Sequence, residues 1–335
     1  MKIGVCTTTI RKPEALKVLR KFAGHNVKFF IALDTNSDFK AISTWGDLDD
    51  QFCWMTPDWQ KKFKCSEALG WRTLSRRNTA FLAALEWGCD AIYSHDDDNL
   101  VTEVTFFEQI AINFEPFNGI KVTGTNGWFD PGSLLIPATR HRGFPHGKPV
   151  SKTAHPVTNA RVGVAAGLVT GDPDIDATTR MEHRPDIGSV HILGSTGVVV
   201  DPHTWTVFNS QNTAVIRELM PAWFMMPGVG RHDDIYASLI VQRVARERDL
   251  HVHFGPPFTY QQRNAHDLVK DLRAEIDGME NVCKLATLLD HIVLPGKSVI
   301  EDTCIIYSAL RYCDFLPIES ANAALLWIED VGSVL

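Results

Sequence analysis

The chain has 335 residues, 44% of them hydrophobic and 22% charged, with a net charge of −7. That is enough to bury a substantial core, in one large domain or two, but the acidic balance argues against a broad non-specific nucleic-acid surface, which needs concentrated Lys and Arg. No window approaches the ~18 uninterrupted apolar residues of a bilayer span. The seven cysteines form no CxxC pair, a pattern that fits reduced thiols in a cytoplasm better than a disulfide framework or a structural zinc site.

Strand and helix signals alternate from the start. "KIGVCTTTI" (2–10) is rich in β-branched residues and reads as a buried strand. "KPEALKVLRKFAG" (12–24) begins near a proline, continues in helix formers and closes on glycine, which reads as a helix. "VKFFIALD" (27–34) is a second strand ending in an aspartate. This order predicts an α/β fold, a Rossmann-like, mostly parallel sheet flanked by helices. Ligands of such sheets bind beyond the carboxyl ends of the strands, an edge that includes Thr8, Thr9, Arg11 and Asp34.

Helical spacing runs through 66–88, "SEALGWRTLSRRNTAFLAALEWG", and "CDAIYSHDDDN" follows as a strand with Asp96, Asp97 and Asp98 at its end. Residues 123–207, rich in Gly, Pro, Thr and His, read as loops and short strands, "SVHILGSTGVVVD" (189–201) among them. "NTAVIRELMPAWFMMP" (212–227) suggests a helix and an aromatic segment, and 230–249 reads as an amphipathic helix. Beyond 267 the chain reads as largely helical. With no repeat or Ser/Gly linker, the expected organisation is a catalytic domain over 1–267 with a helical extension over 268–335 packed on it.

Three aspartates after an apolar strand form either a solvated turn or a seat for a divalent cation carrying a phosphorylated ligand. The triplet shares an edge with Asp34 and the turn at Thr8–Arg11, and that convergence favours the cation. Carboxylates alone would repel a nucleoside diphosphate, whereas Mn²⁺ or Mg²⁺ held by one or two of them neutralises it and helps it leave. Asp96 and Asp98 alternate along the strand end and can face one ion, with Asp97 beside the ligand. "RRN" (76–78) is an exposed turn or a phosphate grip, in which the fork of Arg77 binds bidentately next to Asn78.

In "GRHDD" (230–234), Asp233 and Asp234 fall in a helix's first turn, where carboxylates interact well with the dipole. The functional reading makes one of them a general base, or a carboxylate steering the acceptor, with Arg231 and His232 near the diphosphate. Neighbours on a helix diverge by about 100°. Asp234, in line with Ser238, is the choice to face the sugar and Asp233 the alternate. Among His251, His253 and His266, the last is the candidate to complete the metal shell.

Taken together, these motifs resemble the GT-A-type glycosyltransferases, and more narrowly the reversibly glycosylated polypeptides, the UDP-arabinopyranose mutases. "TTTIRKP", "IALDTNSD", "SRRNTAF" and "HDDDN" are similar to the family's first turn, uridine-side strand, Arg-Asn helix and aspartate triplet. "RGFP" (142–145) resembles the segment whose arginine is associated with self-glycosylation, which makes Arg142 a candidate catalytic residue. "GLVTGDPDIDATT" (167–179), "GRHDDIYAS" and the terminal "AALLWIEDV" extend the resemblance along nearly the whole chain. Asn99 stands where the plant proteins usually have cysteine, Gln261 replaces the family's histidine, and a second arginine after the RGFP segment is missing.

The resemblance implies a GT-A-like, metal-dependent enzyme that moves a sugar from a UDP-sugar donor to a hydroxyl acceptor. Interconversion of UDP-pentose ring forms is the alternative, and a non-catalytic UDP-sugar-binding subunit the third reading. The basic stretches 71–78 and 138–152 leave a hydroxymethylated base in modified DNA open as the acceptor. A homo-oligomer also stays open, and no membrane partner is expected.

Overall fold

The computed structural model describes residues 1–44, 50–183, 186–190, 196–262 and 267–335. The first half supplies β1 (Ile3–Thr9), α1 (Glu14–Phe22), β2 (Val27–Leu33), α2 (Phe39–Ser43), β3 (Phe52–Met55), α3 (Pro57–Gln60), α4 (Arg77–Glu86), β4 (Ala91–His95), β5 (Asn99–Val101), α5 (Phe106–Asn113) and β6 (Phe117–Gly124). It continues with β7 (Leu135–Ile136), β8 (Lys152–Gly171), α6 (Ala177–Glu182), β9 (Ser189–Val190), β10 (Val198–Val200), β11 (Asn212–Ile216), α7 (Asp233–Arg246) and β12 (Leu250–Gln261). The chain ends in α8 (Leu268–His291), α9 (Val299–Tyr312) and α10 (Ile318–Val334). None of the described helices is long and apolar enough to cross a membrane.

The fold is α/β, built on a ten-stranded sheet ordered β3-β2-β1-β4-β11-β8-β6-β10-β12-β5 with a further β8–β12 pairing. β3, β2, β1 and β4 are parallel, as the opening β-α-β pattern predicts. Beyond β4 the sheet is mixed rather than mostly parallel: β11 runs antiparallel to both β4 and β8, and β6 antiparallel to β8. The register of β12 on β8 shifts between Gly255 and Thr259, where Pro256 and Pro257 have no N–H to give the ladder.

Several elements differ from the sequence reading. Residues 212–216 form β11, not a helix. Asn212, Thr213, Ala214 and Val215 are buried between two antiparallel neighbours, and that sheet position outweighs the helix-forming composition around them. The helix expected over 66–88 begins only at Arg77, after a 3₁₀ turn at Leu74–Arg76. The middle segment contains one 20-residue strand, β8, whose first half is mostly exposed and whose second half is mostly buried. Helix α7 is buried along both faces from Asp233 to Ala245. The terminal helices share the main core: Leu285, Ile306, Tyr307 and Trp327 belong to the same apolar cluster as Phe81, Trp223 and Val164.

Candidate functional site

The parallel strands β1, β2 and β4 end at a common edge, where two cavities meet. The larger, about 420 Å³, is lined by Thr8, Thr9, Arg11, Asp34, Asn36, Arg72, Thr73, Leu74 and Asp97. Its neighbour, about 190 Å³, is lined by Leu74, Asp96, Arg142, Asp174, Ser210, Gln211, Arg231, Asp233, Asp234 and Gln261. Leu74 borders both and is 62% exposed. The aspartate turn after β4 divides between them, with Asp97 on the first cavity and Asp96 on the second.

On the first cavity, the Thr9 hydroxyl donates to Asp97 Oδ2 at 2.6 Å, tying the end of β1 to the turn after β4. Burial raises the Asp97 carboxyl above its ordinary value, and the Thr9 hydrogen bond pulls it back. Arg11 is exposed on the rim. Asp34 lines the wall, but its oxygens are engaged: Oδ1 accepts from the Thr35 amide and Oδ2 from the Arg72 and Thr73 amides, at 2.6, 2.7 and 3.2 Å. The carboxylate pins the 70–73 turn, in which Arg72 has φ 61°.

Arg77 lies behind the second cavity rather than on it. It is 3% exposed. Its Nη1 donates to Ser94 Oγ and to Ser210 O, while Nη2 holds Asp96 Oδ1 at 2.8 Å. Asn78 is also internal, exchanging hydrogen bonds with the Met225 backbone. In this structure the Arg-Asn helix start therefore positions Asp96 and the 225 segment instead of facing a ligand. Burial among the cleft walls pushes Asp96 up to about 6, with Arg77 opposing and Asp98 and Asp97 adding to the rise.

Arg142 is 6% exposed and organises the far side. Its Nε donates to Asp174 Oδ2 at 2.8 Å, its Nη2 approaches both oxygens of Asp234 at 3.1 and 3.2 Å, and its Nη1 donates to Arg231 O. Burial alone would lower its pKa, but Asp174 and Asp234 together hold it well above its usual value. Asp234 also accepts from the Ser210 amide at 3.0 Å. Asp233 is less committed: Oδ1 accepts from the Asp234 amide at 2.9 Å, and no described residue donates to Oδ2. Burial first, and the Asp234 charge second, raise its carboxyl.

Arg231 borders the cavity and is held from α8, by Glu275 at 3.0 Å and Asp271 at 3.4 Å. His232 lines neither cavity. It is 1% exposed, both ring nitrogens lack partners among the described residues, and burial followed by the Arg142 charge lowers it to about 3. Ser238, expected to share the ligand-facing stripe with Asp234, is buried and donates to Ile235 O. His251 and His253 are buried with backbone partners at Arg161 and Thr196. His266 falls outside the described residues.

Among the described residues, no three His, Cys, Asp or Glu side chains gather as a metal cage. A hard divalent cation shared with phosphates needs no such cage, since one or two carboxylates and phosphate oxygens suffice. Asp96 Oδ2 and the half-buried Asp98, which lines neither cavity, have no donor among the described residues, and carboxylate oxygens of this kind suit such a cation.

The basic stretches spend much of their charge internally. Arg76 is fully buried, stacked on Trp71 at 3.8 Å and bonded to Gln60 and Ser66. Together with Arg77 and Arg142, it leaves fewer cations for a nucleic-acid groove than the sequence suggests. The sequence reading did not single out Asp174, Ser210, Gln211 or Glu275. The polar run "NSQN" (209–212) leading into β11 is a signal that could have found two of them.

No family model matches the chain, and no curated protein matches it. One solved structure, described as "Crystal Structure of a Mycobacterial Protein", aligns with a TM-score of 0.41 at 10% identity, over 84% of this chain and 75% of that one.

Proposed function

We propose that the protein is a GT-A-like, metal-dependent glycosyltransferase that moves a sugar from a UDP-sugar to a hydroxyl acceptor. The observation that carries the reading is the aspartate turn placed between two adjoining cavities at the end of the parallel strands. The Thr8–Arg11 side takes the nucleoside, the Asp233 side takes the sugar, and the diphosphate crosses at Asp96–Asp98. When bound, Mn²⁺ or Mg²⁺ held by Asp96 and Asp98 neutralises the diphosphate.

The chain's own residues have distinct tasks in this scheme. Arg77 fixes Asp96, and the exposed Arg11 adds positive charge at the nucleotide end. Arg142 holds Asp234 and Asp174 in place. Asp233, raised by burial and with one oxygen unclaimed, is suited to take the proton of the acceptor hydroxyl as the bond from the sugar's anomeric carbon to UDP breaks. Burial of Arg76, Arg77 and Arg142 favours a small or protein-borne hydroxyl over a DNA strand.

The test is calorimetric binding of UDP and turnover of a UDP-sugar panel, with mass spectrometry of the protein and of candidate acceptors, including hydroxymethylated DNA. Asp98→Ala or chelation should abolish turnover and weaken nucleotide binding while the fold persists. Full activity in both would remove the metal from the scheme. Ring interconversion of UDP-arabinose without any acceptor would make the protein a mutase instead.

A further inference from the structure

Three amide side chains form a relay at the wall of the smaller cavity. Asn99 Nδ2 donates to the Gln211 backbone carbonyl at 3.2 Å, and Gln211 Nε2 donates to Asn99 Oδ1 at 3.2 Å and to Gln261 Oε1. Asn99, Gln211 and Gln261 are 0%, 4% and 6% exposed. The hydrogen-bond network fixes the orientation of these amides. A backbone carbonyl can only accept, so Asn99 must turn its nitrogen to Gln211 O and its oxygen to the Gln211 side chain. Gln211 then presents its nitrogen, and Gln261 must answer with its oxygen.

Two groups are left over. Gln211 Oε1 has no donor and Gln261 Nε2 no acceptor among the described residues, and both side chains line the cavity. The relay thus offers a neutral acceptor and a neutral donor from neighbouring side chains, a pairing that suits hydroxyl groups, which both give and take hydrogen bonds. The rest of the lining is largely charged, with Asp96, Asp174, Asp233 and Asp234 beside Arg142 and Arg231. Those arginines are already paired, Arg142 with Asp174 and Asp234, and Arg231 with Glu275 and Asp271.

We propose that the Asn99–Gln211–Gln261 relay is the sugar-reading element of the cleft and that it selects a neutral, hydroxylated sugar over a uronate. Gln211 and Gln261 touch the sugar hydroxyls, and Asn99 positions them. Among the described residues, a uronate carboxylate would meet Asp96, Asp174, Asp233 and Asp234 in this cavity and no arginine that is not already paired with a carboxylate. The proposal rests on the nucleotide-sugar reading. Asn99 and Gln261, two of the positions where this chain departs from the family it resembles, are members of the same hydrogen-bonded group.

Titration calorimetry with Mn²⁺ present separates the two ideas. The probes are UDP alone, UDP-glucose, UDP-galactose, UDP-xylose and UDP-arabinopyranose, and UDP-glucuronate with UDP-galacturonate. At least one neutral donor should bind about tenfold tighter than UDP, as two added hydrogen bonds allow, and both uronates should bind more weakly than UDP. Gln261→Glu replaces the free donor with an acceptor and adds a charge, so the ratio of neutral-donor to UDP affinity should fall to about one. Uronates binding as tightly as neutral donors, or a Gln261→Glu protein that keeps the wild-type ratio, would overturn the relay's role while leaving the nucleotide site standing. If UDP itself does not bind, both readings fail. The wild-type comparison decides the matter even where the variant does not fold.

Discussion

Asp233 and Asp234 are adjacent in sequence but meet different surroundings. Asp234 is held by Arg142 and Ser210, so its negative charge is compensated and its oxygens are occupied. Asp233 lines the cavity with no described donor to its Oδ2, and burial favours its protonated form. A general base works best when its pKa lies near the working pH, which shifts the choice from Asp234, preferred from helical spacing, to Asp233. Asp233→Asn should lower turnover roughly 10²-fold with UDP-sugar binding retained. Because only the ionised form accepts a proton, wild-type turnover should rise with pH through a value above the ordinary carboxylate range, and the residual turnover of Asp233→Asn should lose that rise. Asp234→Asn should instead lose stability and binding, since it leaves Arg142 buried with less counter-charge. Equal kinetic losses with unchanged stability in the two variants would refute this division of labour.

Helix α8 meets the start of α7 through a glycine. A Cβ placed on Gly278 would lie 2.0 Å from the His232 ring, so the two elements approach as closely as they do only because residue 278 has no side chain. Gly278→Ala should destabilise the protein by about 1–3 kcal/mol through overpacking, read from the midpoint of chemical denaturation. His232→Ala in the same chain should return part of that loss, because the two residues are in contact and their effects should not add. Unchanged stability in Gly278→Ala would show that α8 can shift freely against α7. The sequence read the tail as largely helical but could not show this contact, because a glycine inside a helical pattern carries no information about what it faces. The same limit explains β11. "NTAVI" has no alternation because both of its faces are buried, and only its place between β4 and β8 makes it a strand. Local pattern was sufficient where elements follow β-α-β order, at β1, α1 and β2. It also placed Asp96–Asp98 at a strand end, but it could not show that Arg77 faces inward to Asp96.

Across the whole molecule, helix α8 reaches the candidate site while α9 and α10 pack into the core. Glu275 and Asp271 of α8 hold Arg231 at the cavity, and Glu275 also accepts from the Ala177 amide at the start of α6 at 2.9 Å. Further along, Trp327 of α10 is fully buried against Phe224, with ring centroids 5.7 Å apart, and its indole donates to Pro221 O at 3.0 Å. Asp330 accepts from the Lys64 and Cys65 amides at 3.0 and 2.8 Å. The sequence reading set a catalytic portion over 1–267 and a helical extension over 268–335 packed on it, because the tail beyond 267 reads as largely helical. Packing is invisible to that argument, since an apolar helix face does not name its partner. With one apolar cluster running from the sheet into α8, α9 and α10, the helices should unfold together with the rest. Trp327→Ala should cost about 3–5 kcal/mol, the range for emptying a large aromatic site, and should move a single denaturation transition rather than create a second one. A chain ending at residue 267 should fail to fold or to bind UDP, having lost the groups that hold Arg231 and cover Phe224. A stable 1–267 fragment with wild-type UDP affinity would show that neither the fold nor the nucleotide site needs residues 268–335.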